Sequence, residues 1–219
     1  MREIGIRMRS VCAMAVGTIA LAVTVAAQDQ AADPAVRMEQ KIRTYFETCF
    51  ADLKAVADQQ PDVDTFRAAM KPLVEKTEGL FGGTLIDPDF VIQEVYFKRD
   101  FLARGYDLKK VDQLVEFAKQ MKKSPAPQLS EPGHGNMVQP RLVAMRYPVI
   151  KDGQLTGIVS VMIRTEAFLK EVGLDKVKAY EIICQGKSAE SEGTLSAKPH
   201  KVTLDLPSNR WEILFDEGE

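Results

Sequence analysis

Few residues in this chain have types and spacings suited to chemistry, and those few argue against a metal or catalytic centre. The two histidines, His134 and His200, stand far apart, and both fall in stretches that read as loops. Neither belongs to an H-x-x-x-H pair, and the sequence contains no Cys-x-x-Cys. A protein metal site needs three or four convergent ligands. The sequence therefore predicts no metal and no other cofactor.

Nucleophilic catalysis has no better support. Ser130, Glu131 and His134 lie close together in the chain, but a catalytic triad is defined by geometry and not by proximity in sequence. A G-x-S-x-G turn and a phosphate-binding glycine motif are both absent from the sequence. The glycines on either side of His134 predict a flexible loop. We therefore expect a binding protein and not an enzyme.

The composition is that of a soluble globular protein. Hydrophobic residues make up 45% of the 219 residues and charged residues 27%, which suits one domain with extensions. The formal net charge is -2, and basic and acidic residues are mixed along the chain. A nucleic-acid-binding surface needs a basic stripe, so we expect no nucleic-acid partner.

The N-terminus reads as an export signal. Arg2, Arg7 and Arg9 precede an uncharged apolar run over residues 11–27, and the run ends in Val-Ala-Ala. This pattern predicts a signal peptide over residues 1–27, cleaved before Gln28, and a periplasmic or secreted protein. The alternative is an uncleaved N-terminal membrane anchor, although the run is slightly short of the roughly 20 residues that span a bilayer.

Export bears on the cysteines, because cleavage leaves only Cys49 and Cys184 in the chain. An oxidising compartment permits a disulfide between them, and the favoured alternative is two separate buried thiols.

Two helices are predicted before any strand. Residues 28–60 read as a polar linker followed by a long amphipathic helix over Val36–Ala57, and a second helix begins near Asp64. The long helix either packs on the domain's own sheet, which we favour, or forms a homodimer with a second copy. Its apolar stripe recurs every three or four residues and consists of Ile42, Tyr45, Phe46, Cys49, Phe50, Leu53 and Val56.

The rest of the chain predicts strands around one further helix. Strands are expected over residues 80–86, 90–97, 142–149, 157–163, 179–185, 201–206 and 210–215. A polar loop is expected over residues 122–140, and a polar turn or hairpin tip over residues 186–199. Asp107 suits the cap of a helix over Leu108–Met121. Alternation in the last strand places Trp211, Ile213 and Phe215 in the core. This order predicts an α+β fold.

The best-defined local feature is a hairpin that turns at Asp152-Gly153. Asp-Gly between two apolar runs favours a type I′ turn, in which both residues have positive φ. Counting outward from that turn predicts three facing pairs, namely Tyr147 with Ile158, Met145 with Ser160 and Val143 with Met162.

The stretch YPVIKDGQLTGIVSVMIRTEAFLKEV resembles the C-terminal half of a Cache domain, the PAS-like extracytoplasmic sensor module of bacterial receptors. PQLSEP at residues 127–132 and GYDLKKVDQLVEFAK at residues 105–119 are similar to two earlier segments of that family. The resemblance implies a Cache-like sensor domain over residues 61–219, which follows the linker and long helix of residues 28–60. It also implies that the long helix and the second helix pack on a mainly antiparallel sheet with a short pocket helix. The chain stops soon after its last predicted strand, so we expect a free-standing module.

The resemblance also implies a ligand site between the sheet, the pocket helix and the loops that cross it. An arginine at its mouth would suit a carboxylate. The candidate ligand-binding residues are Arg104, Tyr106, Arg141, Met145, Tyr147, Ser160 and Met162, and Tyr96 and Arg99 are further candidates.

Two departures from amino-acid-sensing members narrow the ligand. Those members carry an Arg-x-Trp-Tyr run in the pocket helix and an aspartate for the ligand amine, where this chain has Met162. A small carboxylate or an apolar molecule therefore fits better than an ammonium compound. We expect a sensor-type domain that acts in signal transduction through a membrane or periplasmic partner. The alternative is an assembly protein that binds no ligand and uses its N-terminal helix.

Overall fold

Residues 33–97, 104–133 and 141–218 are described by the computed structural model, and they form helices and two antiparallel sheets. The predicted α+β fold is confirmed. The predicted signal peptide, Arg99 and His134 lie outside the described residues. None of the helices in the described ranges has both the length and the apolar character that a bilayer span requires.

Four α-helices are present in the described residues: α1 (Pro34–Ala57), α2 (Phe66–Lys76), α3 (Asp112–Lys123) and α4 (Thr165–Val172). The predicted stripe of α1 is confirmed, because its central residues Ile42, Phe46 and Leu53 are at most 1% exposed. Short 3-10 turns span Leu108–Lys110 and Leu174–Lys176. The first of these separates Asp107 from α3, and Asp107 accepts a hydrogen bond from the Lys109 amide.

The first sheet contains β1 (Leu80–Ile86), β2 (Ile92–Phe97), β3 (Gln128–Leu129), β4 (Leu142–Lys151) and β5 (Gln154–Arg164). Its strand order is β2-β1-β5-β4-β3. The hairpin turn between β4 and β5 is confirmed, with φ at +51° for Asp152 and +76° for Gly153. Strand β3 lies within the stretch predicted to be a loop.

The second sheet contains β6 (Ala179–Cys184), β7 (Lys187–Glu192), β8 (His200–Leu206) and β9 (Asn209–Asp216), in the order β7-β6-β9-β8. The inward face of β9 is confirmed, because Trp211, Ile213 and Phe215 are at most 2% exposed. Strand β7 was not predicted. Its sequence KSAESE has almost no apolar alternation, and only Ala189 and Glu190 are buried.

Helix α1 packs against strands of both sheets, namely β4, β5 and β8. Its Phe46 ring lies 5.1 Å from Phe168 of α4 and 5.3 Å from Trp211 of β9, so three elements meet in one aromatic cluster. The favoured expectation for α1, that it buries its stripe within its own chain, is therefore confirmed. Cys49 and Cys184 are both free and buried in this core, as favoured.

Candidate ligand-binding site

The first sheet has two covered faces with different partners. One face contributes Leu85, Val143, Met145 and Val161 to the core under α1. The opposite face is covered by α3, whose buried residues are Phe117, Ala118 and Met121. We call this second surface the α3 face, and its apolar members on the sheet are Ile86, Ile92, Val95 and Ile158. The expected pocket helix therefore lies over a sheet, as the resemblance to Cache domains implied.

The residue that faces Ser160 across the hairpin is Arg146 and not Met145. The predicted register is wrong by one residue, because a bulge lies between the Val149–Gly157 and Ile150–Leu155 pairs. A bulge adds an unpaired residue to one strand, and a shift of one residue exchanges the two faces of a strand. Arg146 therefore joins Ser160 on the α3 face.

A continuous row of polar residues crosses the α3 face. Thr84 of β1 pairs with Ser160 of β5, Ser160 pairs with Arg146 of β4, and Arg146 pairs with Gln128 of β3. Thr84, Ser160 and Gln128 are each about 95% buried, with exposures of 5%, 4% and 5%. We call these four residues the polar row. Polar side chains are costly to bury without partners, so a row of them on a buried sheet face is a candidate site.

Arg146 is the one charged residue among the four members of the polar row. Its guanidinium carbon lies 4.4 Å from the centroid of the Phe117 ring on α3. Desolvation by burial lowers the pKa of Arg146 to about 10, so the side chain is still charged at neutral pH. Arg146 nevertheless keeps some accessible surface. Arg146 is therefore desolvated without being fully buried.

Among the described residues, Arg146 forms no ion pair and no side-chain hydrogen bond. The acidic residues of α3 lie elsewhere: Asp112 is exposed, and Glu116 pairs with Lys119 at 3.5 Å. A buried guanidinium is usually paired, because removing a charge from water is costly. The unpaired state of Arg146 is the chemical feature that sets this site apart.

Arg104 and Arg141, the two expected arginines within the described residues, are both engaged with buried carboxylates. Arg104 donates from Nε and Nη2 to Glu94 Oε1, at 2.9 and 2.5 Å. Arg67 of α2 approaches the same oxygen at 3.6 Å. The Glu94 side chain is 7% exposed, and its strand alternation places it on the face opposite the polar row. Arg104 therefore neutralises a structural carboxylate.

Arg141 has a similar arrangement. Its Nη1 donates to Glu190 Oε1, and its Nη2 lies 3.9 Å from Glu166 Oε1 of α4. Glu190 belongs to β7 and its side chain is 5% exposed. The pair therefore connects the first sheet to the second.

The remaining candidates are divided between different surfaces. Tyr106 is 47% exposed, and Met145 is fully buried in the α1 core. Tyr147 lies on the α1 side and lines a groove of about 430 Å³ with Phe46 and Phe50. The guanidinium carbon of Arg67 lies over the Tyr96 ring, 5.5 Å from its centroid. Of the expected site residues that the structure describes, only Ser160 and Met162 lie on the α3 face.

His200, which the sequence placed in a loop, is instead the first residue of β8. His200 stacks on Phe215 at 5.2 Å, which is a packing role. Within residues 33–97, 104–133 and 141–218, no group of three histidine, cysteine or acidic side chains could hold a metal ion.

Comparison of the sequence with protein-family models and with curated proteins finds no match. Comparison of the fold with solved structures does find matches. One match is the ligand-binding domain of the Pseudomonas fluorescens chemoreceptor CtaA in complex with L-isoleucine. The match covers 91% of this chain and 96% of the chemoreceptor chain. The TM-score is 0.63 and the sequence identity is 14%.

Two further structures are similar. The ligand-binding domain of the Pseudomonas aeruginosa amino-acid chemoreceptor PctC, in complex with GABA, matches 82% of this chain and 94% of its own, at 14% identity and a TM-score of 0.59. An extracellular ligand-binding receptor of Desulfohalobium retbaense matches 82% of this chain at 16% identity and a TM-score of 0.61, and the match spans 39% of that receptor. The fold is therefore the Cache-like fold of extracytoplasmic ligand-binding domains.

Proposed function

We propose that this protein is an extracytoplasmic sensor domain that binds a small organic molecule between the α3 face and α3. The observation that carries the proposal is the polar row, in which Arg146 is charged and unpaired within the described residues. A typical small-molecule site is largely apolar with a few convergent polar groups. The α3 face has this composition, since Ile86, Val95 and Ile158 surround the row.

The proposal extends to signalling through a membrane or periplasmic partner. Its support is the similarity in fold to chemoreceptor ligand-binding domains and the export signal expected at the N-terminus. A ligand that orders α3 against the sheet would change the surface that a partner contacts, because a ligand shifts a protein toward the state it binds better.

The structure does not support the reason for proposing an assembly protein or a homodimer formed through α1. Both were based on an apolar stripe available to a second chain. The stripe of α1 is buried in its own core, where Ile42, Phe46 and Leu53 are at most 1% exposed.

Thermal-shift screening of the purified protein against small organic acids, amino acids and neutral analogues tests the proposal. A ligand of the native state at about 100 times its Kd stabilises by about 2.7 kcal/mol, which for a domain of this size raises Tm by roughly 5–10 °C. The proposal fails if compounds across all three classes leave Tm unchanged.

Two matched substitutions locate the site. Ala144→Phe adds a ring on the α3 face, at the position that pairs with Met162. Ala51→Phe adds the same ring to the groove beside α1. We expect Ala144→Phe to abolish the thermal shift and Ala51→Phe to preserve it. The reverse result would move the ligand to the groove beside α1 and contradict the proposed site.

A further inference from the structure

We infer that the ligand is an organic carboxylate with an apolar body and no ammonium group, and that Arg146 binds its carboxylate. The inference rests on the proposed function, because it assigns the ligand class and the anchoring residue of the same site. The sequence alone did not identify Arg146.

The first argument is the uncompensated charge. Arg146 lies between β3 and β5 in the sheet and beneath Phe117 of α3. Among the described residues, none of these elements offers it a carboxylate, whereas Arg104 and Arg141 each pair with one. Leaving a buried charge unpaired is strongly unfavourable. A bound anion would remove this cost, and a neutral ligand would not.

The second argument is the arrangement of hydrogen-bonding groups. Contact with Phe117 constrains the plane of the guanidinium, and the N–H groups lie in that plane, so they remain free to bind a planar carboxylate at two points. Ser160 and Gln128 occupy the positions that flank Arg146 in neighbouring strands. Facing residues on adjacent strands have Cβ atoms about 4.5–5.5 Å apart, which is within reach of the same bound group.

The third argument excludes a zwitterion. A desolvated ammonium group needs a carboxylate or several carbonyl acceptors. In the described part of the chain, the α3 face carries no acidic side chain, and the position two residues beyond Ser160 is Met162. Glu94 faces the other way and is already paired with Arg104. An amino acid would bury its ammonium beside apolar groups, so the corresponding des-amino acid is the better ligand.

Calorimetry on matched triplets tests this inference. Each triplet comprises a carboxylic acid of two to eight carbons, its 2-amino acid and its primary amide, for example 4-methylpentanoate, L-leucine and 4-methylpentanamide. We expect at least one acid to bind, with its amino acid and its amide at least tenfold weaker. A triplet in which the amino acid or the amide binds as tightly as the acid would overturn the inference. So would a panel in which no acid binds.

Arg146→Gln should weaken binding of the acid by at least tenfold, because it removes the charge and keeps a polar side chain. Arg164→Gln is the matched control. Arg164 lies on the same face of β5, its guanidinium lies 5.1 Å from the Phe81 ring, and it is exposed. Arg164→Gln should bind the acid like wild type. Wild-type affinity in Arg146→Gln would overturn the assignment.

The melting temperature of the ligand-free variants gives a second readout. Arg146→Met should leave Tm unchanged or raise it, because it removes a desolvated charge that has no partner among the described residues. Arg141→Ala, which removes a paired arginine, should lower Tm. A fall in Arg146→Met as large as that in Arg141→Ala would show that Arg146 is paired within the chain, and would overturn the inference.

These outcomes are distinguishable from failure of the proposed function. If neutral or cationic compounds raise Tm in the wider screen while no acid binds, the sensor proposal stands and the ligand class assigned here is wrong. If no compound of any class raises Tm, both fail.

Discussion

Arg146 faces Ser160 across the β4–β5 hairpin because Thr156 is an extra residue in β5. The Thr156 hydroxyl donates to the Val149 carbonyl oxygen at 3.2 Å, where the pairing shifts by one residue. Without the bulge, the same turn would place Met145 opposite Ser160. One unpaired residue therefore determines which side chains of β4 share a face with the polar row.

Deletion of Thr156 should greatly reduce stability. It would restore the unbulged register and exchange the buried faces of β4 and β5, so that Val159 and Val161 would compete with Ser160 for the core. We expect a large fall in Tm or the loss of cooperative unfolding, measured by circular dichroism. Thr156→Ala keeps the strand length and is the control, with an expected cost of about 1 kcal/mol or less. A deletion variant with wild-type Tm would show that the bulge does not set the register.

Local patterns predicted the elements of this fold well, and the site less well. The turn at Asp152-Gly153, the stripe of α1 and the inward face of β9 follow from short-range periodicity, and all three are confirmed. The bulge leaves no sign in the alternation of β5, so counting from the turn predicts a register that is one residue out and places Met145 instead of Arg146 opposite Ser160. The sequence feature that could have identified the site is Arg146 itself, a charged residue in an apolar strand just before Tyr147 and Pro148. Strand β7 is polar, and its pairing with β6 determines it more than its own sequence does.

Gly153→Val should lower Tm. Gly153 has φ +76°, and a Cβ there would meet no atom within 4 Å, so the cost is backbone strain alone. Strain of this kind costs about 1–3 kcal/mol, which is several degrees in Tm for a domain of this size. Gln154→Val places the same side chain on the next, exposed strand position and should have little effect. Equal melting temperatures for both variants would contradict the turn.

Cys49 and Cys184 should be unreactive toward thiol reagents in the native protein. Burial raises the pKa of Cys49 to about 11 and the pKa of Cys184 to about 12. The thiolate is the reactive form, so both should react at pH 8 only after denaturant is added. Cys49→Ala and Cys184→Ala assign the signals, since each should remove one denaturant-dependent thiol. Absence of these two thiols after denaturation without reductant would indicate a disulfide.

Export can be checked by N-terminal sequencing of the protein recovered from cells. The basic residues and the apolar run over residues 11–27 predict cleavage by signal peptidase, and a mature protein that begins at or near Gln28. Replacing Ala27 by a bulky residue should block cleavage, because the site requires small side chains. Recovery of the full-length wild-type chain in the membrane fraction would support an N-terminal anchor instead.

Arg141→Ala should destabilise the protein without changing ligand affinity. The guanidinium of Arg141 pairs with Glu190, whose side chain is 5% exposed, so its removal leaves a buried carboxylate without a partner. Breaking a buried pair costs about 3–5 kcal/mol, and partial exposure of Arg141 reduces this to roughly 1–3 kcal/mol. Arg141→Ala combined with Glu190→Gln should recover much of the loss, because the orphaned charge is removed as well. Urea denaturation of the two single variants and the double variant gives the coupling energy of the pair. Additive effects would show that the pair contributes little.

Calorimetry on Arg141→Ala with any ligand found in the screen completes the test, since a tenfold loss of affinity would place Arg141 at the ligand site instead of between the two sheets.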